Sequence, residues 1–251
     1  MASAKDIRVA PIKAADANSL VQRVHYSGKV VRNSQVHLGV FLNNSLEGVM
    51  QFGPCMAKKG LIGLVSDTNW NGFIELNRMA FSERLPRNSE SRAIGIAMRI
   101  LRKTYPHLEW VVSFADGTRC GDGTIYRASG FVLTQVKLNT GMGEVDGKII
   151  CRMTLTKGKH ILGGGRATLP SGFKPLPGFQ LRYIYFLNPA ARERLTVPIL
   201  PFGRIAEMGA SMYRGERTRP KQATPATSGE AAGQNRPGRS NIPTAGTDEP
   251  A

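Results

Sequence analysis

The chain has 251 residues and carries 34 Lys and Arg against 18 Asp and Glu, a formal net charge of +16. A cationic surplus of that size points to a polyanionic partner, DNA or RNA before a membrane surface, because the sequence has no long apolar span and no signal peptide. Three widely spaced cysteines, Cys55, Cys120 and Cys151, argue against a disulfide framework and a Cys-x-x-Cys zinc site and fit a reducing cytoplasm.

Taken in order, residues 5–11 are expected to form a strand and residues 14–24 a helix, with Ala17, Leu20, Val21 and Val24 along one side. The helix runs into the loop His25-Tyr-Ser-Gly-Lys-Val-Val-Arg-Asn-Ser34, which gathers an imidazole, a phenol, hydroxyls and cations. Positioned loops are where sites are built, although a histidine in such a place also serves a purely structural role. Residues 37–42 and 46–52 read as two strands joined by Asn43-Asn44, residues that tolerate a tight hairpin. The stretch 53–71 reads as irregular, with Lys58 and Lys59 as phosphate contacts or a solvated tip.

The next strand is Phe73-Ile-Glu-Leu-Asn-Arg-Met-Ala-Phe81, in which alternation places Ile74, Leu76, Arg78 and Ala80 on one face. An arginine there must be paired or face a cavity, because a lone buried cation is costly. A polar turn then opens a helix capped by Asn88 or Ser89, with Ile94, Ala97, Met98 and Leu101 inward and Arg92, Arg99, Arg102 and Lys103 wet. Free N–H groups at such a helix start suit a phosphate, and equally suit an ordinary strand-to-helix connection.

Residues 109–116 form an apolar strand ending in Asp116, at the carboxyl end where open α/β sheets place ligands. A short helix follows over 124–130, with Tyr126 four residues before Gly130. Residues 131–138 and 148–155 are expected to pair across 141–147. The segment 157–178, with Gly163-Gly-Gly165, Lys159, His160, Arg166 and Lys174, lacks P-loop and Rossmann spacing and reads as a basic loop. A last strand covers 182–187 and a short helix 188–195. From Arg214 the chain has no aromatic residue and a net charge of only +2, leaving +14 on residues 1–213. That composition predicts a disordered tail over 214–251.

The order strand, polar turn, helix, strand, short helix, Gly-Phe resembles the acetyl-CoA-dependent N-acetyltransferase (GNAT) fold. Five motifs are more specific. His25-Tyr26-Ser27, Leu76-Asn-Arg78, Leu85-Pro-Arg-Asn-Ser-Glu-Ser-Arg92, Ser113-Phe-Ala-Asp116 and Ile125-Tyr-Arg-Ala-Ser-Gly-Phe131 resemble the Mom DNA-modification proteins of Mu-like bacteriophages. The likeness runs over residues 14–202, including Tyr183-Ile-Tyr-Phe-Leu187 and Pro198-Ile-Leu-Pro-Phe202.

The resemblance implies a GNAT-like α/β fold over residues 1–213, a mixed central sheet flanked by helices. It implies an enzyme that converts the N6 amino group of adenine in DNA to a carbamoylmethyl (methylcarbamoyl) derivative, shielding phage DNA from restriction in the host cytoplasm. Acetyl-CoA as group donor, an iron ion and DNA are the implied cofactors and partner. Matching the motifs assigns catalytic roles to His25, Tyr26, Arg78, Ser91, Asp116 and Tyr126. It assigns the CoA pyrophosphate to Arg87, Asn88, Ser89, Glu90 and Ser91. On this scheme Asp116 with His25 handles the reacting amine, Arg78 orients Asp116 or the transferred group, Tyr126 protonates the leaving thiolate, and Tyr26 or Phe114 walls a flipped base. His25, Asp116 and a tyrosine would be one way to hold iron, though no spacing specifies it. An ordinary GNAT acting on a protein or small amine, and a non-enzymatic basic DNA-binding protein, are the competing readings.

Overall fold

Asn43 and Asn44 have φ of 48° and 63°, the left-handed pair that a two-residue hairpin needs. They fold β2 (Val36–Leu42) antiparallel onto β3 (Ser45–Gly53). This is a computed structural model, and it describes residues 2–151 and 172–217. With β1 (Arg8–Pro11), β4 (Phe73–Phe81), β5 (Trp110–Asp116), β6 (Val132–Leu138) and β10 (Phe179–Phe186) the hairpin builds a seven-stranded sheet in the order β1-β2-β3-β4-β5-β10-β6. Every neighbouring pair is antiparallel except β4 and β5.

Helices cover both faces, so the fold is the expected mixed α/β sandwich around a central sheet. On one side α1 (Ala14–Val24) buries Ala17, Leu20 and Val21 against Val49 and Ala80. On the other, α3 (Ser89–Thr104) buries Ala93, Ile94, Ala97, Met98 and Leu101 against Met50, Phe52, Ile74, Leu76 and Val111. The stretch between β3 and β4 contains α2 (Lys58–Leu61) and a 3-10 turn, Ile62–Leu64. Leu61, Leu64 and Val65 there join Phe73 and Trp110, whose rings stack 4.1 Å apart.

β4 departs from simple alternation. Its pairing with β3 shifts so that Gln51 faces Arg78 while Phe52 faces Leu76, leaving Asn77 as the extra residue of a β-bulge. Ile74 and Leu76 pack on the α3 side together with Met79 and Phe81, whereas Ala80 packs under α1. The expectation that Arg78 shares a face with Ile74 and Leu76 is therefore corrected. The inserted residue turns Arg78 to the α1 side, beside Glu75 and Asn77, where it does line a cavity.

Two other expectations change. β6 pairs with β10, whereas residues 148–151 of its expected partner form β8 (Lys148–Cys151), which pairs with β7 (Met142–Val145), and residues 152–155 lie outside the described residues. The cause is local, because Asp146 and Gly147 both take positive φ, 49° and 72°, and close a tight hairpin of their own. β9 (Lys174–Pro175) adds to β7, while Gly163–Gly165, Lys159, His160 and Arg166 lie outside the described residues.

Helix α4 (Thr124–Ala128) follows β5, and a 3-10 turn (Pro189–Arg192) and α5 (Gly203–Glu207) follow β10. The chain then continues past Arg214 in a hairpin of β11 (Met212–Tyr213) and β12 (Glu216–Arg217), with Arg214 and Gly215 at positive φ in its turn. Residues 214–217 of the expected tail thus lie in this hairpin, and residues 218–251 lie outside the described residues. No described helix is long and apolar enough to cross a membrane.

Gly53, at the end of β3, sits against the crossing backbone: a Cβ there would lie 2.4 Å from the Asn33 carbonyl oxygen and 2.9 Å from Ser34 Cα. Neither atom belongs to a flexible side chain. Gly53→Ala is therefore expected to cost about 1–3 kcal/mol, a fall of several degrees in Tm, read by thermal denaturation.

Candidate active site

The parallel pairing of β4 with β5 covers only Phe73 to Leu76 against Trp110 to Ser113. Beyond it the strands part, and the site forms at this fork, at the carboxyl ends of both strands. Ser113 is fully buried there, its Oγ 3.0 Å from the Leu76 carbonyl and 2.8 Å from the Tyr126 hydroxyl. The side chain supplies a partner where the ladder has run out.

Tyr26, carried by the loop after α1, donates its hydroxyl to Asp116 Oδ2 at 3.1 Å, joining residues ninety positions apart. The backbone N–H of Thr118 donates to Asp116 Oδ1 at 3.0 Å, fixing the carboxylate. His25 lies against Tyr26 with ring centroids 4.3 Å apart, and its Nδ1 accepts from the Ser27 N–H at 3.2 Å, with Ser27 Oγ 2.8 Å away. The Arg119 guanidinium sits 5.5 Å from the Tyr26 ring centroid. Arg78 donates to the carbonyls of Lys29 (2.9 Å) and Asn77 (2.8 Å). Among the described residues it makes no ion pair with Asp116, and its two bonds tie the Tyr26 loop to β4. Asp116 is likewise partnered by Tyr26 and not by His25.

Burial and charge set the protonation states. Burial, aided by Arg78 and Arg119, lowers the His25 pKa to about 4, so the imidazole is neutral at physiological pH. Burial and the neighbouring Asp116 carboxylate raise the Tyr26 phenol well above its usual range. Tyr126 lies in the core between Phe131 and Tyr183, and burial pushes its hydroxyl up to about 12. It reaches the fork from beneath, through Ser113.

Ser91 stands apart from this group. Its Oγ donates to the Asn88 carbonyl at 3.2 Å in the first turn of α3. Asn88 is the helix N-cap but has φ 69° and makes no side-chain cap; the Ser89 N–H donates to the Pro86 carbonyl at 3.1 Å, and the N–H groups of Glu90 and Ser91 are left open. Ser89 Oγ is buried there without a hydrogen-bond partner. An orphaned hydroxyl at the positive end of a sixteen-residue helix fits a phosphate group, so Arg87 to Ser91 can hold the pyrophosphate of a CoA. Among the described residues no three His, Cys, Asp or Glu side chains gather as a ligand set for iron, and of the expected His25, Asp116 and tyrosine set, Asp116 is hydrogen-bonded to Tyr26 and to the Thr118 N–H and not to His25.

Arg119 and Cys120 belong to the site and were not singled out by sequence. Both lie in the turn after β5, where the amides of Arg119, Cys120 and Gly121 fold back onto the Asp116 carbonyl. Their signal was positional, a loop at the carboxyl end of a central strand.

The Mom protein family model matches residues 6–204. The chain is 40% identical over 200 residues to the methylcarbamoylase mom of Escherichia phage Mu, covering 78% of this chain and 81% of that one. Among solved structures, a Bacillus subtilis acetyltransferase in complex with CoA aligns at 10% identity over 72% of this chain and 97% of its own, with a TM-score of 0.40. A GNAT family acetyltransferase from Elizabethkingia anophelis with acetyl-CoA bound aligns at 12% identity over 72% and 98%, with a TM-score of 0.37.

The His25 pKa, about 4 when folded against an ordinary 6.5, carries a sign. The unfolded chain takes up a proton between those values that the folded chain refuses, so acidification through that window destabilises the fold and the loss levels off below it. Tm measured from pH 7 to 4 should fall less steeply in His25→Gln than in the wild type; parallel curves would contradict the shift.

Proposed function

The chain belongs to the Mom protein family, and from that membership we propose that it is a DNA-modifying transferase that converts the N6 amino group of adenine to its carbamoylmethyl derivative. The Tyr26–Asp116 pair at the fork is the observation that carries the reading to this site. The adenine amine is a poor nucleophile, because its lone pair is delocalised into the ring, and in a duplex it is stacked and paired. The base must be extruded or single-stranded to react.

A carboxylate held by Thr118 and Tyr26 offers a fixed acceptor for an amine proton. The Tyr26 ring, 44% exposed, offers a stacking face beside it. The excess of Lys and Arg supplies the backbone contacts that hold DNA regardless of sequence.

Acetyl-CoA bound at the start of α3 would supply the two-carbon unit. Arg87, Asn88, Ser89, Glu90 and Ser91 would then fix the pyrophosphate, and Tyr126 keeps its proton at neutral pH, next to Ser113, in position to neutralise a thiolate. Forming the N6–CH2 bond from an acetyl methyl group removes two electrons, and replacing the thiolate by the product's amide nitrogen consumes an ammonia-equivalent donor, so the overall conversion takes an oxidant and a nitrogen donor as co-substrates besides acetyl-CoA.

Nucleoside mass spectrometry of DNA from bacteria expressing the protein should show a heavier deoxyadenosine. Asp116→Asn and Tyr126→Phe should each lower its yield by about a hundredfold or more while salt-dependent DNA binding persists. Unmodified DNA together with CoA-dependent protein acetylation would favour an ordinary acetyltransferase.

A further inference from the structure

We propose that Trp70 and Lys58 form a stacking platform for a base flanking the target adenine on a single DNA strand, a contact that rests on the adenine-modification reading above and lies outside the residues it uses. Only two tryptophans occur in the chain. Trp110 is fully buried, whereas Trp70, just before β4, is 52% exposed. Its ring is held from the core outward: Trp110 stacks on Phe73 at 4.1 Å, and the Lys58 ammonium lies 5.7 Å from the Phe73 ring centroid and 4.7 Å from that of Trp70. Lys58 Nζ also donates to Asn71 Oδ1 at 3.0 Å. A large flat side chain that is both fixed and half in water is preorganised for stacking, and every base has a π-face to offer.

The charge around the ring identifies the partner as a polyanion. Residues 29–34 and 53–71 contribute four cations, Lys29, Arg32, Lys58 and Lys59, against one carboxylate, Asp67. Among the described residues Lys58 makes no ion pair. One of its three N–H donors goes to Asn71, which leaves two for a phosphate. Lys58 and Asn71 also line an open hollow of about 420 Å³ with Pro54, Phe73, Tyr105 and His107, space for a nucleotide beside the ring. An aromatic face interleaved with unneutralised cations is the pattern that takes single-stranded nucleic acid.

The same surface leads to the reactive pair. Asn33, in the loop that carries Tyr26, donates its Nδ2 to the Pro54 carbonyl at 2.8 Å, and Val31 of that loop lines a cavity together with Met56 and Arg78. Lys29 and Arg32 belong to this bridging loop. Trp110, the partner of Phe73 in the parallel ladder, stands six positions before Asp116 on β5, a separation of about 20 Å along the strand. That is about six nucleotide steps at duplex spacing. The platform therefore takes a neighbouring base and leaves the target amine to Asp116.

Tryptophan fluorescence reads the stack directly, because Trp110 is buried and Trp70 is the exposed emitter. A mixed-sequence single-stranded oligonucleotide should quench the wild-type emission as it binds, with binding followed in parallel by the anisotropy of a labelled strand. An oligonucleotide of the same length that is abasic throughout should bind through its phosphates and leave the emission unchanged. Trp70→Leu should lose the quenching and bind the strand with bases about tenfold more weakly. Lys58→Gln should keep the quenching at saturation and lower the slope of log K against log salt by about one. An emission that stays constant while DNA saturates the wild type would overturn the platform, and so would equal quenching by the abasic strand, results that need no variant to fold; undiminished quenching in Trp70→Leu would do the same. The failures are separable. If the wild type leaves host DNA unmodified, the adenine-modification reading falls; if it modifies adenine but its emission does not respond to bound bases, only the platform falls.

Discussion

One extra residue in β4 sets the shape of the site. Without the bulge at Asn77, β4 and β5 could continue their parallel ladder beyond Leu76 and Ser113, and the sheet would be closed where it now opens. A parted sheet leaves backbone groups without ladder partners, and a buried carbonyl without a donor costs of the order of 1–3 kcal/mol. Ser113 removes that cost at Leu76 with its side chain and links the same point to Tyr126. The fork is thus a built feature with its polar groups matched, held by a serine that has no exposed surface.

Around it the charges are arranged so that the reacting groups stay neutral while the surroundings are cationic. Burial, then Arg78 and Arg119, disfavour a proton on His25, and burial, then Asp116, disfavours ionisation of Tyr26. A neutral imidazole and an intact phenol therefore sit beside a single hydrogen-bonded carboxylate. Such a set suits an uncharged amine, whose proton needs somewhere to go once a bond forms to nitrogen. The anionic parts of the proposed reaction, the DNA backbone and the pyrophosphate, are left to surface cations and to the positive end of α3.

Much of this was legible in the sequence where the signal is local. The bounds of α1, the Asn43-Asn44 hairpin, the stripe on α3 and the position of Asp116 at a strand end all follow from periodicity and turn chemistry. The bulge was not legible, because a single inserted residue reverses which face Arg78 and Ala80 occupy without disturbing the alternation before it. Nor was the placement of β10 between β5 and β6, a long-range choice that no local pattern encodes. The Asp146-Gly147 turn carried a recognisable hairpin signal that would have separated β7 and β8 from β6. The partners of Arg78 are two backbone carbonyls, and nothing in residue types alone distinguishes that from a pairing with Asp116.

The faces of the sheet also constrain how two substrates could meet. Ser89 and the start of α3 belong to the side that holds Tyr126, Ile74 and Leu76, whereas Tyr26, Asp116, Glu75 and Arg78 belong to the side of α1. A cofactor seated on the first side and a base seated on the second are separated by the sheet wherever its ladder is intact. They come within reach of each other at the fork, where β4 and β5 no longer pair and Ser113 and Tyr126 stand between the two sides. Transfer across a parted sheet explains why the residues of the proposed site come from the α1 loop, β4, β5 and α4 together: each of these elements ends or bends at the same gap.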